Sequence, residues 1–503
     1  MRRFALQSGL FPALLFTLIG FFTMGYHPGA EDDAVYLSSV KLALNPSLYP
    51  HDSAFFQLQM RTSVYDTWMA HFIRLTGAST ATAELTWQFL SLFLMVWACW
   101  MILSRLFEEQ TARWGGIALF SAMLTLPVAG TALYIADQYL HPRNPATALI
   151  LFAVARIQAG RRWQAVPLLL LAFVLHPLMG AMGVSFCFFL TLTLSEPVRV
   201  HVLSWRARFI PQSSEAATPA AIFFPFAWLL KKPTPTYLEA INSRHWFRIY
   251  QWTWYEWLGV IGPLAIFWCV ALIARKQEDK VLSRFAMAIF FYSIFQQVIA
   301  MILLGPRALI AFTTLEPMRY LQLVYVFLTL ILGAYVGKHL LKTVLWRWIT
   351  FLLLANGGMA YAQHEIFPAT EHIELPGGVP TNPWVQAFEW IRQNTPPDAY
   401  FATDPNYMSV PGNDYHSFRA LAERSVLADA IKDTSVVTKV PEIGPTWEQQ
   451  SRATANWANF GLADFKQLRN KFGVDWVLVY NNQTAGLDCR WHNISLAVCK
   501  LPE

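Results

Sequence analysis

Charge is what this sequence has least of. Only 14% of its 503 residues are Asp, Glu, Lys or Arg, against about 25% in a soluble globular chain. Hydrophobic residues make up 55%, and the mean hydropathy is +0.34. Such a composition excludes an ordinary soluble fold and leaves lipid as the solvent for most of the chain. A concentrated basic patch is also missing. The net charge of +6 comes from short clusters such as Arg2-Arg3, Arg161-Arg162 and Arg275-Lys276, each beside an apolar run. Clusters of that kind mark the cytoplasmic ends of membrane spans, so no nucleic acid is expected as a partner. Cysteine is scarce, five in all. Cys99, Cys187 and Cys269 sit inside apolar runs and read as small core hydrophobes. Cys489 and Cys499 flank a predicted hairpin and could pair if that end lies in an oxidising compartment. No glycine-rich nucleotide fingerprint occurs in the C-terminal part. Nor does a small-x-small cleavage site follow the apolar stretch from Leu10 to Met24, which is expected to remain as a first span.

What is present is a series of apolar runs. A helical span needs about 20 apolar residues, and residues 6–25, 84–104, 115–135, 258–274, 282–304, 320–337 and 344–361 meet that length. Two shorter segments, 145–157 and 164–175, flank the basic turn Gly160-Arg161-Arg162, and a third, 178–194, follows His176-Pro177. Short or Pro-interrupted helices survive at membrane depth only where they line a cavity or pack on protein, so this region is predicted to wall an internal site. A weak extra span at 209–230 brings the expectation to about nine to eleven transmembrane helices. The basic turns put the N-terminus in the cytoplasm and residues 26–82, 136–144 and 305–317 outside, with everything after 362. Beyond 362, "ELPGGVPTNP" reads as a linker, and alternating helical and strand patterns follow. The predicted architecture is an α-helical polytopic membrane domain over 1–361, a linker over 362–383, and a small extracytoplasmic α/β domain over 384–503.

The unusual polar residues then fall on one side. "AEDDAVY" holds Glu31, Asp32 and Asp33, "YPHDSAFF" holds His51 and Asp52, and "ADQYLHPRNPA" holds Asp137, His141, Arg143 and Asn144. The broken segment adds His176, the aromatic stretch 241–259 adds Arg244, His245, Arg248 and Glu256, and "LEPMRY" adds Glu316 and Arg319. Adjacent carboxylates repel, which implies a cation, a base with a raised pKa, or free solvation. Mg²⁺ or Mn²⁺ would take Asp32 and Asp33 together with phosphate oxygens and water. Arginine offers a planar fork to the same oxygens. Together these groups suit a lipid phosphate entering from the bilayer. If "DDAVYLSSV" is helical, successive side chains diverge by about 100°, so Asp32 is expected to face the site and Asp33 to cap or ligate. Plainer roles compete: a solvated loop for each acid, a helix cap for His176, an interfacial belt for the tryptophans of 246–257, and snorkelling for Arg319.

This layout resembles the GT-C class of polytopic glycosyltransferases, which includes oligosaccharyltransferases, protein mannosyltransferases and aminoarabinose transferases. The matching features are a first span followed at once by "AEDDAVY", the "HPR" at 141–143, the "HP" at 176–177, the "EPMRY" at 316–320, and a soluble C-terminal domain outside. The resemblance implies a GT-C-like fold in a bacterial inner membrane. It also implies transfer of a sugar from a polyprenyl-phosphate donor to an acceptor on the outer face, with the acceptor left open. The first-loop acid of the family, a general base or metal ligand, falls on Asp32 or Asp33 with Glu31 as the alternate. The donor phosphate would meet Arg143 and Arg319. Asp52, His141, His176, Arg248 and Glu316 complete the expected substrate-binding set. A transporter or flippase of a lipid-linked or anionic substrate is the competing expectation. Transporters carry charges at mid-membrane and repeated halves, and neither is visible here. A third possibility, an assembly protein with its outer domain as a docking module, would leave the acids and arginines without a shared pocket.

Overall fold

The computed structural model describes residues 9–194, 233–410 and 412–502. Arg2-Arg3 and the weak span at 209–230 lie outside the described residues. The chain begins with helix α1 (Leu10–Met24), then runs through α2 (Asp33–Leu44), α3 (Ala54–Met60) and α4 (Tyr65–Thr76). Helices α5 (Thr80–Leu106), α6 (Gln110–Ala122), α7 (Arg143–Gln158), α8 (Arg162–Leu175) and α9 (Pro177–Leu194) follow. After the short α10 (Pro235–Asn242) come α11 (Trp254–Lys276), α12 (Lys280–Leu304), α13 (Leu321–Tyr335) and α14 (Leu345–Ile366). Among the described residues, five helical stretches are long and apolar enough to cross a membrane: Thr80–Leu106, Pro177–Leu194, Trp254–Lys276, Lys280–Leu304 and Leu309–Leu341. Leu10–Met24 and Arg162–Leu175 are apolar but shorter. Leu170, Phe188, Ile261 and Ile302 are exposed on these helices, as lipid-facing side chains are. Exposed Trp254 lies at one end of the helical body, and exposed Trp163 and Trp346 at the other, the positions of an aromatic belt.

The expected span at 115–135 is not one helix. The helix ends at Ala122, and it does not resume: Pro127 disfavours helical geometry in the residue before it, and Ala129 and Ala132 adopt positive φ, 44° and 54°. Residues 123–142 form an apolar, buried loop, with Val128, Leu133, Ile135 and Ala136 in the core. Helices α6, α7 and α8 have 13, 16 and 14 residues and rise only about 20–24 Å, against roughly 30 Å of hydrocarbon. The segments at their ends, 123–142 and His176, are therefore recessed below the ends of the longer helices on the side that meets the C-terminal domain. Glycines let α6 lie against α13: a Cβ on Gly115 would stand 2.3 Å from the Gly333 carbonyl oxygen, a small-residue contact of the kind lipid-embedded helices use.

The C-terminal part carries α15 (Pro383–Asn394), α16 (Phe418–Ala422), α17 (Lys432–Lys439), α18 (Gly444–Thr454) and α19 (Leu462–Phe472). The domain is built on a five-stranded sheet of order β2-β1-β3-β5-β4, while Val436 and Val437 of α17 and Trp447 of α18 pack with the side chains of α2, α3 and α4. Its strands are β1 (Tyr400–Thr403), β2 (Ser425–Val426), β3 (Trp476–Tyr480), β4 (Asp488–His492) and β5 (Leu496–Lys500). β1 runs parallel to both of its neighbours, and the β3-β5-β4 edge is antiparallel. Cys489 and Cys499 face each other across β4 and β5 and are bonded. The segment before α2 is stitched to this domain through the backbone: Glu31 N–H donates to the Tyr415 carbonyl at 2.8 Å, and Ser417 N–H to the Gly29 carbonyl at 2.8 Å. Asp52 completes the joint by accepting from Arg419 Nε at 2.5 Å and from the Val426 N–H at 2.9 Å.

Candidate functional site

The turn Gly29-Ala30-Glu31 brings α2 in under the C-terminal domain, and Glu31 takes a positive φ of 51° to make it. From there the two aspartates diverge. Asp32 is 35% exposed and points at the His141 ring, with Oδ2 3.5 Å from Nε2, while its backbone N–H donates to the Tyr139 hydroxyl at 3.2 Å. Tyr36, one turn along the same face of α2, meets the His141 ring at 4.5 Å. Asp33 is fully buried. Its Oδ2 accepts from the Gly29 N–H at 2.8 Å, closing the turn, and its Oδ1 has no hydrogen-bond partner among the described residues.

The recessed loop supplies the opposite wall. Arg143 N–H donates to His141 Nδ1 at 2.9 Å, so the ring proton sits on Nε2, toward Asp32. The Arg143 guanidinium grips Asp137 through Nε at 3.0 Å and Nη2 at 2.5 Å, a bidentate pair, and leaves Nη1 without a partner among the described residues. Asn144 holds the loop in shape by donating to Gln88 Oε1 at 3.0 Å and accepting from the Asp137 N–H at 3.2 Å. His176 lies 5.6 Å from His141, ring to ring, and its Nδ1 accepts from the Met179 N–H at 3.3 Å, capping α9.

Two further segments close the cluster. Glu316 has a left-handed backbone, φ 39° and ψ 53°, a conformation costing a non-glycine residue about 1–2 kcal/mol. That turn lets its carboxylate accept from Arg319 Nη2 at 2.8 Å while lying 3.9 Å from Lys439 Nζ. From α17, the Lys432 ammonium bridges Glu31 and Asp32, 3.1 Å from Asp32 Oδ1. Burial alone would raise the Asp32 carboxyl, but Lys432 and then His141 hold it well below the usual carboxylate range. Burial and the Glu84 charge push the Asp33 carboxyl up instead. Burial and Arg143 lower His141 to about 4, so the ring is neutral at physiological pH. Burial would lower Lys432, yet Asp32 and Glu31 raise it, and it remains an ammonium. The Tyr36 hydroxyl is raised by burial and by Asp32 and Glu316, and lowered by Arg143 and Arg319.

The arrangement is a part-open carboxylate, Asp32, backed by a neutral imidazole and ringed by Arg143, Arg319, Lys432 and Lys439. Of the sequence-predicted residues, Asp32, His141, Arg143, His176, Glu316 and Arg319 come together here, with Glu31 at the rim. Asp33, Asp52 and Arg248 do not join them. Asp33 faces the far side of α2, and Asp52 serves the joint with Arg419. Arg248 is half-buried and bonded to Gln251 Oε1 and to the Asn242 carbonyl. An Asp32–Asp33 chelate for Mg²⁺ or Mn²⁺ does not fit these side chains. The two carboxylates point apart, Lys432 holds the place between Glu31 and Asp32 that a cation would need, and no group of three His, Cys, Asp or Glu converges among the described residues. The residues missed in the sequence are Lys432, Lys439 and Tyr36. The two lysines stand seven apart in "KDTSVVTK", about two helical turns along one face. That spacing was the available signal, masked by the distance of some 400 residues from the acids it serves.

Three comparisons with known proteins bear on this arrangement. A family described as "Domain of unknown function (DUF6798)" matches residues 382–435, which hold Arg419 and Lys432. No curated protein matches the chain. Among solved structures, an Archaeoglobus fulgidus oligosaccharyltransferase in its apo form is similar at 16% identity, over 94% of this chain and 57% of that one, with a TM-score of 0.22. The chain thus spans little more than half the length of that relative, and an overlap at such a score does not establish a shared fold.

Proposed function

We propose that the protein is a membrane glycosyltransferase that moves a sugar from a polyprenyl-phosphate donor to an acceptor hydroxyl on the extracytoplasmic side. The observation that carries this reading is the placement of Asp32, an accessible carboxylate, within a ring of four cationic side chains at one end of the helical body. A lipid-borne phosphate can reach that depth from the bilayer, and the cations supply the charge it needs. The acceptor hydroxyl attacks the anomeric carbon and passes its proton to Asp32. The bond from that carbon to the phosphate oxygen breaks, and the electron pair leaves with polyprenyl phosphate. Charge building on that oxygen is met by Lys432, Lys439, Arg319 and the free Nη1 of Arg143. Asp32 is a weak base while Lys432 holds it. As the phosphate draws the ammonium away, the field on the carboxylate falls and its basicity rises. Neutral His141 keeps Asp32 oriented through Nε2–H.

The test is reconstitution of the full-length protein in liposomes with a radiolabelled polyprenyl-phosphate sugar and a membrane extract as acceptor source. Label leaving the lipid for a product supports transfer. Label crossing the bilayer while still attached to its lipid supports the flippase alternative and overturns the proposal.

A further inference from the structure

Helix α2 has a second functional face. Asp32 and Tyr36 look toward His141, whereas Asp33, Leu37 and Lys41, each four residues on, share the stripe next to it. Leu37 and Lys41 line a cavity of about 850 Å³ between the start of α5, the linker at 371–380 and the C-terminal domain. Its charged lining comprises five carboxylates and two cations, and both cations are already engaged: Lys41 with Glu423 at 2.7 Å and Arg392 with the same carboxylate at 3.8 Å. Glu374 is held by His27 and His416.

Of the other three carboxylates, Glu371 is exposed and Glu389 half-buried, and Glu84 is the buried one. It is 3% exposed, it lines the cavity, and its Oε1 makes no hydrogen bond among the described residues. Tyr26, 1% exposed and in the same wall, likewise has an unpartnered hydroxyl. Two buried polar groups without partners, in a cavity richer in carboxylates than in cations, call for a ligand that donates hydrogen bonds and carries positive charge. Ala78, Ser79, Thr80 and Ala81 form part of the wall where the membrane-crossing helix Thr80–Leu106 begins, so the cavity lies at headgroup level.

We infer that this cavity is a binding site for a primary ammonium group, held by Glu84 and Tyr26, separate from the Asp32 site on the other face of α2. The ammonium can come from a lipid headgroup or from a free amine, and the experiment separates the two. The full-length protein in detergent is examined by native mass spectrometry with phosphatidylethanolamine or phosphatidylglycerol, and by calorimetric titration with ethanolamine. Phosphatidylethanolamine is expected to bind at least tenfold more tightly than phosphatidylglycerol, and Glu84→Gln to remove that preference. Tyr26→Phe, which keeps the ring and the packing, should weaken binding severalfold and keeps the test valid if the Glu84 variant misfolds. Equal binding of free ethanolamine and the lipid supports the ammonium site and identifies a soluble amine as sufficient. If neither amine binds, or if a folded variant at either position retains full affinity, the inference is overturned. None of these readouts depends on sugar transfer.

Discussion

Asp32 and Asp33 are neighbours in sequence with opposite fates, and the helix explains why. Successive residues on α2 diverge by about 100°, so one carboxylate meets His141 and Lys432 while the other turns under to close the Gly29 turn. Asp32→Asn should lower sugar transfer by about 10²–10⁴-fold, the usual yield of a general base, without a change in thermal unfolding. Asp33→Asn keeps the acceptor oxygen that Gly29 needs and lies away from the Asp32 site, so transfer should stay within tenfold of the wild type. The pH dependence follows from the same environment. Because His141 protonates only near about 4 and Asp32 lies well below the usual carboxylate range, neither should titrate at neutral pH. A pH–rate profile should show no limb from these two groups between about pH 5 and 8. That Asp32 would face a site was legible from helical periodicity. The separation of Asp52 and Arg248 from it was not, because residue type and loop position do not say where a side chain points: Asp52 is taken by Arg419 across 367 residues, and Arg248 by the Asn242 carbonyl in its own segment.

At the scale of elements, the joints between the helical body and the C-terminal domain decide whether the site forms. Arg419 ties Asp52, in the segment between α2 and α3, to Asp433 of α17, the helix that carries Lys432 and Lys439. Breaking a buried pair of this kind costs about 3–5 kcal/mol, so Arg419→Ala should lower the midpoint of denaturant unfolding and lose transfer as well. The linker forms a second joint, with Glu374 clamped by His27 and His416. Burial opposes ionisation of Glu374, but His416 and His27 hold it at about 2. Its stabilisation is therefore present above its unfolded value of about 4.5 and lost as pH falls toward 2. Burial lowers His416, but Glu374 outweighs it and raises the pKa. That contribution is complete below about 6.5 and is lost as pH rises through the folded value. Limited proteolysis within residues 375–380 should accordingly be slowest between about pH 4.5 and 6.5 and faster on either side. The Cys489–Cys499 bond closes a loop of 10 residues, worth about 2–3 kcal/mol in a chain-entropy account, so Cys489→Ser should unfold the sheet edge at lower denaturant. Sequence patterning served well for long apolar helices and for the hairpin, where local periodicity dominates. It failed at 115–135, where hydrophobicity reads alike for a span and for a buried loop and only Pro127 marks the difference.

Across the whole molecule, every segment of the site emerges at one end of the helical body: 25–33, 123–142, His176, 316–319 and the C-terminal domain. The basic turns at 159–162, 275–280 and 338–342 lie at the other. Composition made the membrane legible from the start, and the clustering of polar residues on one side followed from the basic turns. The convergence itself was not legible, because Lys432 meets Glu31 and Asp32 across about 400 residues and no local pattern encodes such a pairing. The most direct measurement is the rate of sugar loss from a radiolabelled polyprenyl-phosphate donor in proteoliposomes carrying the wild type, Asp32→Asn or Asp33→Asn, each shown to be folded and inserted. The account predicts transfer by the wild type and by Asp33→Asn, with a loss of about 100-fold or more for Asp32→Asn. Undiminished transfer by Asp32→Asn would contradict it.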